Sequence, residues 1–173
     1  MSLIFSFPPV STPSASTLIL GSMPGLASLH AAEYYAHPRN LFWKILGDLI
    51  GANPERAYAA RLQKLTDAGL ALWDVLQSCE REGSLDGDID PGSIIPNDFV
   101  TFFALHPRIE RVFFNGAMAE SSFRRHVLKQ LPAARANALT FTRLPSTSPA
   151  NAAFSYARRL EAWRQIVAHD SLT

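Results

Sequence analysis

LILGSMPGLASLHAAEYYAHPRNLFWKIL, residues Leu18 to Leu46, is the stretch whose reading decides the fold. Leu18, Ile19 and Leu20 make a short apolar run that stops at Gly21, the pattern of a buried strand ending in a tight turn. A loop therefore opens at the strand's carboxyl end, which in an open α/β sheet is where ligands bind. Pro24 between Gly21 and Gly25 points to a fixed backbone able to present N–H groups to a flat or anionic ligand. Beyond Tyr34, Tyr35, Ala36, His37 and Pro38, the residues Phe42, Ile45, Leu46 and Leu49 recur at helical spacing, so Asn40 stands at a helix start.

Working outward, the first strand spans Thr17 to Gly21, and the helix runs from Asn40 to about Ile50, closed by Gly51. Pro54 suits the first turn of a second helix, whose Tyr58, Leu62 and Leu65 form an apolar stripe ending near Gly69. Leu70 to Leu76, LALWDVL, reads as a second strand, Arg111 to Phe114 as a third and Ala138 to Leu144 as the last. Further helices are expected over Pro96 to Leu105, about Met118 to Leu131, and Phe154 to Val167 with Tyr156, Leu160, Trp163 and Val167 inward. This alternation predicts an α/β fold: three α/β/α layers around a central, mainly parallel sheet of about four strands, joined by right-handed crossovers.

With 173 residues, 47% of them hydrophobic, the chain is long enough for one well-buried domain and too short for two ordinary ones. Residues 1–16, rich in Ser, Thr and Pro, are expected as an extended, poorly ordered lead-in to a single domain over 17–173. The one cysteine, Cys79, excludes an internal disulfide framework or a Cys-rich metal centre and suits a reducing compartment. The amino terminus has no basic region before its proline-broken apolar run, so no signal peptide is read there, and no stretch is long enough to span a membrane. A cytoplasmic protein is expected, nucleoid-associated if bacterial. The net charge of +1 does not announce a nucleic-acid binder. Arg124, Arg125, His126 and Lys129 on one expected helix, and Arg158, Arg159 and Arg164 on another, are either solvated faces or a short phosphate track.

Three segments, GSMPG (Gly21 to Gly25), YYAHPRNLFWKIL (Tyr34 to Leu46) and LPSTSPAN (Leu144 to Asn151), together resemble the uracil-DNA glycosylase superfamily, most closely its hypoxanthine-DNA (deoxyinosine) glycosylase branch. The resemblance covers most of the chain. Mismatch-specific uracil glycosylases carry a similar G-x-N-P-G loop and a similar aromatic-Ala-His-Pro-x-Asn-x-Phe-Trp segment at the same separation. The resemblance implies a monofunctional base-excision enzyme that hydrolyses the N-glycosidic bond of a flipped deaminated base, hypoxanthine first, with no cofactor. Its partner would be DNA containing such a base, with no membrane, and the chain would act as a monomer. Uracil in mismatched or single-stranded DNA, or a catalytically inactive DNA-binding relative, are the alternatives.

The same resemblance distributes roles. In most branches the third position of GSMPG is Asn or Asp and holds the attacking water, whereas here it is Met23, a thioether that neither donates a proton nor orients water well. The hypoxanthine branch is similar to a scaffold in which that work moves to Asn40. Asn40 before LFWKIL is equally a good helix cap. Tyr35 takes the place of the aromatic that stacks on the flipped base, and Ser22, Met23, Pro24 and Gly25 would surround the base, their N–H groups stabilising its leaving charge. Asp74, a carboxylate inside a core strand, loosely matches a position that reads the base, or it is a capping or salt-bridging group. Asp86 within Ser84-Leu85-Asp86 matches a segment of the hypoxanthine branch and is otherwise part of a turn.

Ser146, Thr147, Ser148 and Pro149 resemble the loop that presses into the minor groove, with Leu144 where relatives often have His or Asn. Asp86, Asp88 and Asp90 alternate like the start of a calcium loop, but Pro91 and Asn97 fall where Gly and an acid are required, so no metal is expected. Ser22 is one place early for a nucleophile elbow, and neither G-x-x-x-x-G-K nor G-x-G-x-x-G occurs.

Overall fold

Every residue from Thr17 to Gly21 is buried, as a strand covered on both faces requires. The computed structural model describes residues 2–168; residue 1 of the expected lead-in and residues 169–173 of the expected domain lie outside them. In chain order the elements are β1 (Ser2–Phe5), β2 (Thr17–Gly21), α1 (Leu26–Ala31), α2 (Phe42–Ile50), α3 (Tyr58–Asp67), β3 (Leu70–Asp74) and β4 (Leu76–Arg81). They continue with β5 (Ile95–Pro96), α4 (Phe99–Leu105), β6 (Arg111–Asn115), α5 (Ala117–His126), α6 (Ala133–Asn137), β7 (Thr140–Leu144) and α7 (Tyr156–Trp163).

Strands β3, β2, β6 and β7 form, in that order, a four-stranded sheet paired in parallel. Successive side chains of a strand point to opposite faces, and the core divides accordingly. Leu18 and Leu20 pack with Ala71, Trp73, Val112 and Phe114 against the phenylalanines of α4 and Phe123 of α5. Ile19, Leu72 and Phe113 instead meet Phe42, Ile45 and Leu46 of α2, Leu65 of α3 and Trp163 of α7. Helices on both faces of a parallel sheet are the three-layer arrangement expected from the sequence.

Several local expectations are corrected. LALWDVL is not one strand. At its end the N–H of Val75 donates to Gly21 O (2.9 Å) and that of Leu76 to Ser22 O (3.1 Å). From Leu76 the chain leaves the parallel sheet, and β4 pairs antiparallel with β1 and β5 in a separate three-stranded sheet. Ser78 to Arg81, the first residues of SCEREGSLDGDIDPGS, a stretch whose polar composition reads as loop, are therefore strand, and the lead-in is part of the fold, with Ser2–Phe5 on β4 and Val10 bridging Leu72. The pairing partners lie far apart in sequence, beyond the reach of local patterns.

Helix α3 starts at Tyr58 because Pro54 sits in a turn closed by Arg56 N–H on Asn53 O (3.0 Å). α4 starts at Phe99, where Asp98 accepts from Thr101 N–H (3.1 Å). α7 starts at Tyr156 under a Ser155 cap and gives way after Trp163 to a 3-10 turn. The helices α1 and α6 are too short for an apolar period to mark them in the sequence. Cys79 is buried in β4.

Candidate active site

Strand β2 has β3 on one side and β6 on the other, so the chain reverses its direction of winding at β2 and leaves a crevice at the carboxyl ends of β2 and β6. A cavity of about 440 Å³ opens there, lined by the Gly21–Gly25 loop, Tyr35, His37, Arg39, Asn40, Asp74, Asp86, Asn115 and the Ser146–Ala150 loop. Its volume falls in the range of small-molecule sites, roughly 300–1,000 Å³. The segments singled out in the sequence thus meet at one end of the sheet.

Gly21 and Asp74 are register partners at the ends of β2 and β3. A Cβ on Gly21 would lie 2.5 Å from Asp74 Oδ1 and 2.8 Å from Tyr35 Oη, so only glycine lets these two oxygens cross the strand end. Asp74 is 3% exposed, and its Oδ2 is buried with no hydrogen-bond partner, as is Tyr35 Oη. Desolvation first, and the Asp86 charge second, push the Asp74 carboxyl up to about 7, against the pull of Arg81. Burial and the Asp74 charge likewise push the Tyr35 phenol up, opposed by the Asn115 amide.

Tyr35 has φ 56, a left-handed backbone rare for a bulky side chain. Its neighbours hold it there. Its ring stacks on Phe42 with centroids 4.1 Å apart, Tyr34 O accepts from Trp43 Nε1 (2.8 Å), and Ala36 N–H donates to Ser28 Oγ (3.1 Å). Strain of this kind concentrates where a side chain must be aimed.

Asn40 faces the cavity from just outside α2, which begins at Phe42 rather than at Asn40. Its Oδ1 accepts from Phe42 N–H (3.0 Å), so the amide braces the helix start while lining the cavity. Arg39 N–H donates to His37 Nδ1 (3.1 Å), which fixes the turn before it.

The Gly21–Gly25 loop is held from the segment after β4. Ser22 Oγ donates to Asp86 Oδ1 (2.7 Å), Leu26 N–H donates to Ser84 Oγ (2.9 Å), and the buried Arg81 sends Nη2 to Pro24 O (2.7 Å) and Nε to Gly83 O (2.9 Å). Asp86 is thereby joined to the cavity wall, its carboxyl raised by desolvation against the Ser22 hydroxyl and Arg81. Met23 is 7% exposed and belongs to the core under the sheet. Asp90 accepts from Gly92 N–H (3.0 Å), and among the described residues no three His, Cys, Asp or Glu side chains gather as a metal-ligand set.

The second loop is tied to β6 and to α2. Asn115 Nδ2 donates to Thr147 Oγ1 (2.9 Å) and its Oδ1 accepts from Thr147 N–H (2.9 Å), while Leu41 N–H donates to Thr147 O (3.0 Å). Thr147, expected to face DNA, is fully buried with its hydroxyl engaged; it is the anchor of the loop. Ser146 and Ser148 are half-buried and Pro149 is exposed. The serine oxygens accept from the N–H groups of Ser148 (3.1 Å) and Ala150 (3.2 Å), which leaves their hydroxyl protons to donate outward. Leu144 is buried beneath the loop.

The basic clusters part company with the cavity. α5 runs back from β6, so Arg124, Arg125 and His126 in its last turn lie toward the amino ends of the strands, away from the cavity, and Arg124 pairs with Glu120 (3.5 Å). Arg159 is buried and holds Asn151 O (2.8 Å), and Arg164 pairs with Glu161 (3.0 Å). The cation at the cavity is Arg39, exposed, with His37 beside it. Sequence reasoning missed Asn115, His37 and Arg39; the signals available were the strand-ending RVFFNG and the HPR of the second segment.

No family model matches the chain. It is 35% identical over 94% of its length, and 97% of the relative's, to the hypoxanthine DNA glycosylase of Methanosarcina acetivorans. It is 40% identical over 64% of its length, and 69% of the relative's, to the hypoxanthine DNA glycosylase of Methanosarcina barkeri. Its fold matches the solution NMR structure of a candidate uracil DNA glycosylase from Methanosarcina acetivorans with a TM-score of 0.77 and 32% identity, over 96% of this chain and 100% of that one. With the three motifs gathered at one cavity of a matching fold, the chain belongs to the hypoxanthine DNA glycosylase branch of the uracil-DNA glycosylase superfamily.

Proposed function

We propose that this protein hydrolyses the N-glycosidic bond of a flipped deaminated base in DNA, hypoxanthine in deoxyinosine, and leaves an abasic site. The observation that carries the reading is the bond from Leu41 N–H to Thr147 O (3.0 Å), which couples the outer loop to the residue after Asn40. A duplex resting on that loop would deliver an extruded nucleotide at a set distance from Asn40. The relatives named hypoxanthine DNA glycosylase support the choice of base.

In this reading Tyr35 stacks on the base, while Asp74 and Asp86 shape its pocket. Asn40 Oδ1 holds the attacking water with the lone pair that Phe42 N–H leaves free. An amide does not titrate in the useful range, so Asn40 orients the water and does not deprotonate it. The N–H groups of Ser22, Met23 and Gly25 stabilise charge on the departing base, and Ser146 and Ser148 bond phosphates beside the gap. The chain acts as a monomer in the cytoplasm, at the nucleoid in a bacterial cell.

The test is alkaline strand cleavage of labelled duplexes carrying one deoxyinosine or one deoxyuridine, with wild type and Asn40→Ala. Cutting at deoxyinosine that collapses in the variant is the expected result. Cutting at deoxyuridine alone favours the uracil reading, to which the structural neighbour's description points. No cutting at either base leaves a DNA-binding relative without glycosylase chemistry.

A further inference from the structure

Asp74 Oδ2 and Tyr35 Oη are both buried without hydrogen-bond partners, and the two side chains approach each other over Gly21, through Asp74 Oδ1 and the Tyr35 hydroxyl, in the wall of the cavity. Leaving one such atom unpaired is costly, and leaving two in one place marks a site that an incoming group completes. Among the described residues no ion pair to Asp74 is formed. Asn97 from before α4 bonds its backbone oxygen and not its carboxyl (2.8 Å).

The charged and titratable groups that bear on Asp74 come from each side. They are Tyr35, Tyr34 and Tyr58 from the Tyr34–Asn40 segment and α3, Asp86 from the turn after β4, and Arg81 from β4. Desolvation and Asp86 favour the neutral carboxyl and Arg81 opposes them, which places its titration at about 7. The tyrosine phenols are pushed up, not down, so none of them takes the proton from Asp74.

We infer that Asp74 is the acid of the reaction: as a neutral carboxyl at the end of β3 it donates its proton to N7 of the departing purine. The inference rests on the hypoxanthine-releasing reading and adds to it the group that activates the leaving base. As the C1′–N9 bond breaks, its electron pair passes into the imidazole ring of the purine. The proton moves from the carboxyl to N7, so hypoxanthine leaves neutral and Asp74 remains as carboxylate. Water adds to C1′, loses its proton to solvent, and Asp74 regains one from solvent before the next turnover. N7 is the acceptor in the ring that takes up the electron pair; in uracil the pair passes instead to O2 beside N1, so a carboxyl set to reach N7 does not meet it. Asp74 is therefore also a source of preference for a purine over uracil.

The experiment measures single-turnover excision from a duplex with one deoxyinosine, between about pH 5.5 and 9, by wild type, Asp74→Asn and Asp74→Ala. A second duplex carries 7-deaza-2′-deoxyinosine, in which N7 is replaced by C–H, and binding is followed by anisotropy on a duplex with non-cleavable 2′-fluoro-deoxyinosine. The wild-type rate is expected to be level below about pH 7 and to fall by about tenfold per unit above it. Both variants are expected to bind the 2′-fluoro duplex yet lose about 100-fold or more in rate, with a flat residual profile. The 7-deaza duplex is expected to be bound and left uncut, a readout that needs no variant to fold. A wild-type rate that rises with pH, an Asp74→Asn variant with the wild-type profile, or efficient cutting of the 7-deaza duplex overturns the acid while leaving the glycosylase reading intact. No release of hypoxanthine at any pH overturns that reading and the acid with it.

Discussion

The side chain of Asn115 makes two hydrogen bonds to Thr147, donating to its Oγ1 and accepting from its N–H, both at 2.9 Å. Through that pair the end of a central strand carries the outer loop of the cavity. Asn115→Ala leaves a buried N–H and hydroxyl without partners and is expected to cost about 2 kcal/mol of stability. It is also expected to lower kcat/KM on deoxyinosine duplex by about tenfold or more, because the loop loses its setting relative to Asn40. Asn115→Asp keeps an acceptor for the Thr147 N–H and should retain more of both. Urea denaturation and initial-rate kinetics on the two variants check the ordering, and equal losses would refute the anchoring role.

Gly21→Ala places a methyl group 2.5 Å from Asp74 Oδ1 and 2.8 Å from Tyr35 Oη. Both are side-chain ends, so the chain should fold with those ends displaced. A displacement of this size at a reacting centre is expected to cost about 100-fold in excision rate. Circular dichroism unchanged from wild type, with activity lost, is the predicted pattern; full activity would show that neither oxygen needs its observed place.

Burial holds the Asp74 carboxyl neutral up to about pH 7, against an ordinary value of 3.8. Between those values the folded chain binds more protons than the unfolded one, so stability falls as pH rises from about 4 to about 7. Asp74→Asn removes that titration. The variant is expected to exceed wild type in stability by about 2 kcal/mol or more at about pH 8, with the difference fading near pH 4. Urea midpoints at the two pH values decide it, and a gap of the same size at both would contradict the linkage.

Met23 stands where relatives carry a polar water-holding residue, yet it is 7% exposed and packs in the core. Met23→Ala is expected to lose about 2 to 4 kcal/mol by opening a cavity, and Met23→Leu less than about 1.5 kcal/mol. If packing is its contribution, Met23→Leu should keep excision activity near wild type. An assay of that variant, with its thermal midpoint, separates packing from chemistry.

The three-layer fold was legible because strand and helix carry different hydrophobic periods. Leu18-Ile19-Leu20, LALWDVL and Arg111 to Phe114 read as buried strands, the second two residues too long, and the stripe from Phe42 to Leu46 reads as a helix, from local pattern alone. The order of GSMPG, YYAHPRN and LPSTSPAN along the chain likewise identifies the loops that form the cavity. What local pattern does not encode is pairing between distant segments. The pairing of β4 escapes local pattern because its partner β1 lies at the start of the chain, and Thr147 looked like a DNA contact because Asn115, which holds it, is 32 residues away. Asp74 was visible as an odd carboxylate in a core strand. Only the fold, by closing Gly21, Tyr35 and Asp86 around it, decided that its oxygen is unpaired and its proton held to about pH 7, because desolvation and through-space charge depend on distances that sequence order does not contain.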